Sequence, residues 1–230
     1  DGTLFDATGA LACTPDGLIK GNALSFWTTL GNDGPDVEKG GTAEVLDLLI
    51  DSPTARDLYT FTNTDPGGGV IEDLTDTVNA FVDANANISD TDLGVASSAE
   101  RTNLFTSVHD GGLGDIIHSE PAVMHYPDPD GNPATDDAKT IIYSGSNDGI
   151  LHAFDDADGS EIWGFIAPQQ LGRLKLLDNA DHDYFMDGSP AVYYGSSQKI
   201  LMMGERRGGE TYVTLDISTH DAPIWLYSVG

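Results

Sequence analysis

The sequence predicts a mainly β protein: a partial β-propeller of four-stranded antiparallel blades, preceded by an irregular segment with short helices. Three observations predict it. Gly (27 residues) and Pro (11) punctuate short apolar runs, the pattern of strands joined by turns. The second half of the chain holds eight such runs. Those runs form two copies of one four-strand unit, about 60 residues apart, a spacing that belongs to repeat architectures.

Residues 1–113 are irregular and polar, a pre-propeller segment in which two helices are expected. One covers 42–51, where Val45, Leu46, Leu48, Leu49 and Ile50 are apolar. The other covers 98–108. Ser97 and Glu100 have capping-box spacing there, and Leu104, Phe105 and Val108 fall on one helical face. Gly67-Gly68-Gly69 and the Asp/Asn-rich stretch 83–92 read as loops.

Residues 114–230 read as two blades, 114–166 and 189–230, joined by a helix or loop over 167–188 that includes a helical or turn segment at 168–177. Strands are expected at 121–126, 140–145, 150–155 and 161–166 in the first copy. In the second they are expected at 189–194, 199–204, 211–217 and 224–228. Pro121-Ala122-Val123 matches Pro190-Ala191-Val192. Gly145 matches Gly204, 59 residues on; Asp155 matches Asp216, 61 on; Trp163 matches Trp225, 62 on. A lone four-stranded sheet cannot bury both faces, so each blade packs on its neighbours. Eight strands also suit a sandwich, which would not need features at a fixed period. Two copies cannot close a ring. The chain therefore reads as an internal piece of a longer protein, with Ile200, Met202, Val213 and Leu215 expected on the face toward the next blade.

The charge is lopsided: 38 acidic residues against 10 basic ones, a formal net charge of −28. Such a field repels nucleic acid and anionic membrane surfaces. It suits a solvated surface in salty surroundings, or carboxylates that hold calcium. Cys13 is the single cysteine, so no disulfide forms within the chain. No run approaches the roughly 20 apolar residues that span a bilayer.

The candidate chemical motifs have structural readings. Asp83-Ala84-Asn85-Ala86-Asn87 spaces oxygen ligands as a calcium loop does, but Ile88 and Gly94 stand where that loop needs Gly and Glu. Asp128, Asp130, Asn132, Asp136 and Asp137 cluster in a loop over 127–139 and read as an exposed acidic hairpin. Asp115, His118 and Ser119 are too close in sequence for triad geometry, and His118 reads as a satisfied histidine. His109, His152, His182 and His220 lack metal-ligand spacing. The basic stretch Gly204-Glu205-Arg206-Arg207-Gly208-Gly209 lacks the Lys-Ser/Thr ending of a phosphate loop. No catalytic, cofactor-binding or metal-ligating residue is assigned in this segment.

The stretch YSGSNDGILHAFDDADGSEIWGF at 143–165 resembles the repeat of pyrroloquinoline-quinone dehydrogenases and their non-enzymatic relatives. The vicinal Cys-Cys pair of many such dehydrogenases is absent, since Cys13 stands alone. A more specific resemblance is to the PilY family, which includes the neisserial PilC adhesins. It runs in order through SFWTTLGNDGPDVEKGG at 25–41, RDLYTFT at 56–62, LGVASSAERTNLFTSVHDG at 93–111, GLGDIIHSEPAV at 112–123, the stretch 146–177 and FMDGSPAV at 185–192. The resemblance implies a secreted, non-enzymatic bacterial protein at the pilus, outer membrane or cell surface. It would support type IV pilus assembly against retraction, with adhesion in some members, and have minor pilins and host or abiotic surfaces as partners. It implies a quinoprotein-like propeller, with calcium in a part of the propeller not present here. The alternatives are a fragment of a quinone-dependent dehydrogenase and an outer-membrane assembly scaffold.

Overall fold

The computed structural model describes residues 3–29, 31–36, 39–49, 56–63, 72–128, 138–178 and 182–230. Among them are short helices and two five-stranded sheets. Helices α1 (Gly41–Asp47), α2 (Asp90–Leu93) and α3 (Ser98–Asp110) lie in the first half, with the two-residue strands β1 (Leu58–Tyr59) and β2 (Glu72–Asp73). Then come β3 (Ala122–Tyr126), β4 (Lys139–Gly145), β5 (Ile150–Asp155) and β6 (Glu161–Ile166). A 3-10 segment, Pro168–Leu176, leads to β7 (Ala191–Tyr194), β8 (Lys199–Gly204), β9 (Tyr212–Asp216) and β10 (Ile224–Val229).

The eight long strands fall into two separate sheets, each an antiparallel meander of four. Each meander carries one further strand from the first half of the chain. Sheet 1 has the order β1-β6-β5-β4-β3 and sheet 2 the order β2-β10-β9-β8-β7. Strand β1 runs parallel to β6, whereas β2 runs antiparallel to β10. The five-strand count departs from the expected four because Leu58–Tyr59 and Glu72–Asp73 satisfy backbone groups that β6 and β10 would leave unpaired. RDLYTFT thus contributes a two-residue strand.

The sheets pack face to face. Ile141, Tyr143, Leu151, Trp163 and Phe165 of sheet 1 share one buried cluster with Leu201, Met203, Val213, Leu215 and Trp225 of sheet 2. Gly145 permits the close approach: a β-carbon there would meet Met203 Cε at 1.8 Å and the Met186 carbonyl at 2.3 Å. Polar bonds fix the junction. Trp163 Nε1 donates to the His220 carbonyl (2.8 Å), and the Tyr126 hydroxyl donates to the Ile217 carbonyl (2.7 Å). The opposite face of sheet 1 is covered by the first half of the chain. Ile150 and Ile166 pack there with Leu58, Phe81, Leu93, Leu104, Phe105 and Val108. Every residue of β5 is therefore buried.

Strand pairing revises the match between the copies. In sheet 1, Trp163 lies opposite Ala153 and Glu161 opposite Phe154, with Ile162 bulged out between them. In sheet 2, Tyr227 lies opposite Thr214 and Trp225 opposite Leu215, with Leu226 bulged out. Asp155 and Asp216 hold the same place, opposite Ile141 and Ile200. The structural counterpart of Trp163 is therefore Tyr227, 64 residues on, and that of Trp225 is Glu161. Matching the two Ile-Trp pairs in sequence places the last strand two residues out of register. Both tryptophans do reach the junction, Trp163 from sheet 1 and Trp225 from sheet 2, where Trp225 stacks on Phe61 with ring centres 4.7 Å apart.

The same register corrects the expected outer face of sheet 2. Ile200 and Met202 lie on it, but Val213 and Leu215 point the other way, into the junction, and are fully buried. Tyr193, Tyr212, Tyr227 and Val229 complete the outer face and are exposed.

Local sequence sets the ends of these elements. Ser97 caps α3 by accepting the Glu100 amide (3.2 Å), as its spacing predicts. The Glu100 carboxylate bonds the Ala96 amide instead of the Ser97 amide, so only half of the expected box forms. The complete capping box is at Ser89 and Asp92, opening α2 inside a stretch that reads as loop. The helix expected over 42–51 is described as Gly41–Asp47; residues 50 and 51 and the Gly67-Gly68-Gly69 loop lie outside the described residues. Six of the aspartates make turns. Asp6, Asp73, Asp148, Asp155, Asp158 and Asp216 each accept the amide two residues ahead, an Asx turn. Their presence needs no salty habitat to explain it.

The register predicts unequal losses. Trp225→Ala should cost about 3 to 5 kcal/mol, because it empties the junction. Tyr227→Ala, at a side chain 45% exposed, should stay within about 1 kcal/mol. Urea unfolding of both variants measures the difference, and equal losses contradict the register.

Candidate functional site

Five side chains bury a charge network on the face of sheet 1 that meets α3. Arg56, just before β1, grips Glu161 at the start of β6 with a two-pronged bond: Nε to Oε2 at 2.7 Å and Nη2 to Oε1 at 2.9 Å. Its third donor, Nη1, reaches the Val108 carbonyl in the last turn of α3 at 3.1 Å. Both side chains of the pair are 2% exposed or less. His152 in β5 donates from Nδ1 to Glu161 Oε1 at 2.6 Å. Its Nε2 faces Ser146 Oγ at 2.9 Å and Asp148 Oδ2 at 3.2 Å. The Ser146 hydroxyl in turn donates to Asp148 Oδ1. Asp148 also accepts the amides of Ile150 (3.0 Å) and Gly114 (3.1 Å).

The order Ser146–His152–Glu161 has the distances of a nucleophile, base and orienting acid, but its electrostatics oppose that chemistry. Burial pushes the His152 pKa down; Asp148 and Glu161 overcome it and hold the imidazole up at about 9. At neutral pH it is a cation with no lone pair to take a serine proton. Burial raises the carboxylates, but His152 holds Asp148 at about 2, and Arg56 with His152 holds Glu161 at about 2. Ser146 is 1% exposed and His152 fully buried, so no substrate reaches the hydroxyl. The arrangement instead binds α3, β1, β5, β6 and the 146–149 turn together.

The residues flagged in the sequence separate in space. His118 Nδ1 bonds Asp187 (2.8 Å), Asp115 bonds His182 Nε2 (2.9 Å), and Ser119 Oγ accepts the Gly145 amide (3.1 Å); they form no triad. His109 Nε2 donates to the Phe81 carbonyl at 2.8 Å. In the proposed calcium-like stretch, Asp83 holds Arg101, while Asn85 Nδ2 donates to the carbonyls of Val78 and Ala80. Asp130, Asn132, Asp136 and Asp137 lie outside the described residues. Among the described residues no three His, Cys, Asp or Glu side chains gather as a metal site, and no helix is long and apolar enough to cross a membrane. The network itself was missed in the sequence: the one available signal was that His152 interrupts the apolar run of β5.

A repeat of antiparallel sheets stacked face to face, knit to a preceding helical segment, is the class of protein that this fold defines. Relatives sharpen it. The chain is 33% identical over 142 residues to Type IV pilus biogenesis factor PilY1 of Pseudomonas aeruginosa, which covers 51% of this chain and 12% of that protein. Two proteins of Xylella fastidiosa, each named Type IV pilus biogenesis factor PilY1 homolog, match at 37% over 84 residues and 29% over 137 residues. These alignments cover 34% and 48% of this chain, and 6% and 11% of those proteins. No protein-family model and no solved structure matches the chain. The chain is similar over about half its length to proteins named PilY1, and spans about an eighth of the length of the Pseudomonas relative.

Linkage gives the network a pH signature. His152, raised above its usual 6.5, contributes stability that is complete below about pH 6.5 and lost as pH rises through about 9. Asp148 and Glu161, depressed below 3.8 and 4.5, contribute stability present above those values and lost as pH falls through about 2. Stability to urea should therefore plateau between these limits. His152→Gln should remove the alkaline decline between pH 6.5 and 9, and an unchanged decline assigns it elsewhere. Glu161→Gln should cost about 3 to 5 kcal/mol, because it breaks a buried pair on one side only.

Proposed function

We propose that this chain is part of a β-propeller in a bacterial PilY-type factor that supports type IV pilus assembly at the cell surface, by binding and not by catalysis. The relation to proteins named type IV pilus biogenesis factors carries the reading. Supporting assembly against retraction, contacting minor pilins and adhering to host or abiotic surfaces are its finer parts. The protonated, buried His152 supports a non-enzymatic role. Calcium, where the factor uses it, would sit in another part of the propeller.

The repeat register supports the propeller. Met124, Tyr143, Leu151, Trp163 and Phe165 of sheet 1 are buried against sheet 2. Their counterparts on the outer face of sheet 2 are Tyr193, Met202, Tyr212, Tyr227 and Val229, all exposed. Thr214 among them is 1% exposed, and its Oγ1 has no hydrogen-bond partner among the described residues. A third sheet stacked there would repeat the junction between sheets 1 and 2 and continue the ring.

Two experiments test the reading. Cells lacking the gene should lose surface pili, and blocking retraction in them should restore pili; unaltered piliation removes the pilus role. Tyr227→Asp in the full-length protein should cost about 2 kcal/mol or more by burying a carboxylate, yet stay within about 1 kcal/mol in the 230-residue chain. Equal small effects in both remove the third sheet. Turnover of alcohols or aldoses after reconstitution with pyrroloquinoline quinone and calcium would make the protein an enzyme and overturn the binding role.

A further inference from the structure

Two clefts share the glycine-rich segment 111–114 that leaves the end of α3. The first measures about 580 Å³ and lies against α1. Ala43, Leu113 and Ile116 are its apolar lining, and Asp47 and Asp115 are its carboxylates, both exposed. The second measures about 310 Å³ and lies between α3 and the 146–149 turn. Val108 and Leu177 are its apolar lining, and Asp178 is its exposed carboxylate. Among the described residues, no lysine, arginine or histidine lines either cleft. Asp115 bonds His182, whereas Asp47 and Asp178 pair with no basic side chain among the described residues. Asp178 accepts the Ser107 hydroxyl at 2.8 Å, which leaves its charge uncompensated.

An unpaired donor lines the second cleft as well. Asn147 is 7% exposed there. Its Oδ1 accepts the Phe185 amide at 3.1 Å, which fixes the other atom of the side-chain amide as Nδ2, a donor. That Nδ2 is buried and has no hydrogen-bond partner among the described residues. Such a group costs free energy until an acceptor reaches it. The clefts therefore call for cations beside Asp47, Asp115 and Asp178, and for an acceptor beside Asn147. A bare metal ion meets the first need and is repelled by the second. An extended peptide rich in lysine or arginine meets both. Its aliphatic stems can lie along Ala43, Leu113 and Ile116 with their charged heads at the carboxylates, and a main-chain carbonyl can accept from Asn147.

We propose that the two clefts around 111–114 bind a basic segment of a partner protein, with Asp47, Asp115 and Asp178 facing its cations and Asn147 donating to its backbone. The net charge of −28 draws such a segment toward the whole surface at low salt. At about 0.15 M salt, charges more than about 8 Å away are largely screened, and the carboxylates at the clefts decide where it settles. The site stands on charge and geometry alone and does not depend on the pilus role.

Fluorescence anisotropy of a labelled, C-terminally amidated tetralysine peptide, titrated with full-length protein at about 0.15 M salt, tests it. Saturable binding is expected. Asp47→Asn and Asp178→Asn should each weaken it by about threefold. Both should melt with the parent, because the two side chains are exposed and asparagine keeps an oxygen for the Ser107 hydroxyl. Asp76→Asn, in the turn after β2, removes the same charge from a residue that lines neither cleft and should leave binding unchanged. Absence of saturable binding, an equal loss in all three variants, or no loss in either cleft variant overturns the proposal. Spermine carries the ammonium groups without a carbonyl and should compete more weakly than unlabelled peptide; equal or stronger competition overturns the peptide assignment.

Discussion

A β-sheet with two apolar faces has to be covered twice, and the sheet built from β3 to β6 is such a sheet. One cover is the second sheet, which shares the cluster around Tyr143, Trp163 and Trp225. The other is the first half of the chain, whose Phe81, Leu104, Phe105 and Val108 pack on Ile150 and Ile166. The placement of the remaining elements follows from this double cover. Strands β1 and β2 lie at the outer edges because the chain that covers one face of sheet 1 also pairs with β10 of sheet 2. Among the described residues sheet 2 has a single cover, and its outer tyrosines remain in solvent.

The charge network is the polar counterpart of that packing. Helix α3 leaves C-terminal carbonyls to satisfy, and Arg56 reaches one of them from beneath. A buried guanidinium needs a carboxylate, so Glu161 takes the position that Trp225 occupies in the second sheet. Glu161 then holds His152, and His152 holds Asp148. Each charge is balanced by the next. The same chain of needs that yields triad-like distances also keeps the imidazole protonated, so geometry and chemistry part company here.

Much of the fold was legible in the sequence because strands and turns are local. The apolar runs at 150–155 and 161–166 became β5 and β6 at the expected residues, and Asp155 and Asp216 make the same Asx turn in each copy. The capped helix near 98 was legible for the same reason. Helix α2 was not, because a four-residue helix leaves no period to read. The candidate site was almost illegible: Arg56 is 105 residues from Glu161, and no local pattern joins them.

The sequence by itself determined the strands, the turns and the presence of a repeat, since alternation, Gly and Asp act over a few residues. Tertiary structure alone decided which residues correspond. The bulges at Ile162 and Leu226 fall at equivalent places, but Glu161 follows Asp155 by 6 residues whereas its counterpart Trp225 follows Asp216 by 9, which puts Tyr227 in the place of Trp163 and sends Trp225 to the opposite side of the same junction. Which residue of the last strand meets its neighbour is settled by pairing across the sheet, not by the period of the sequence features, and a shift of pairing changes the face that each side chain takes.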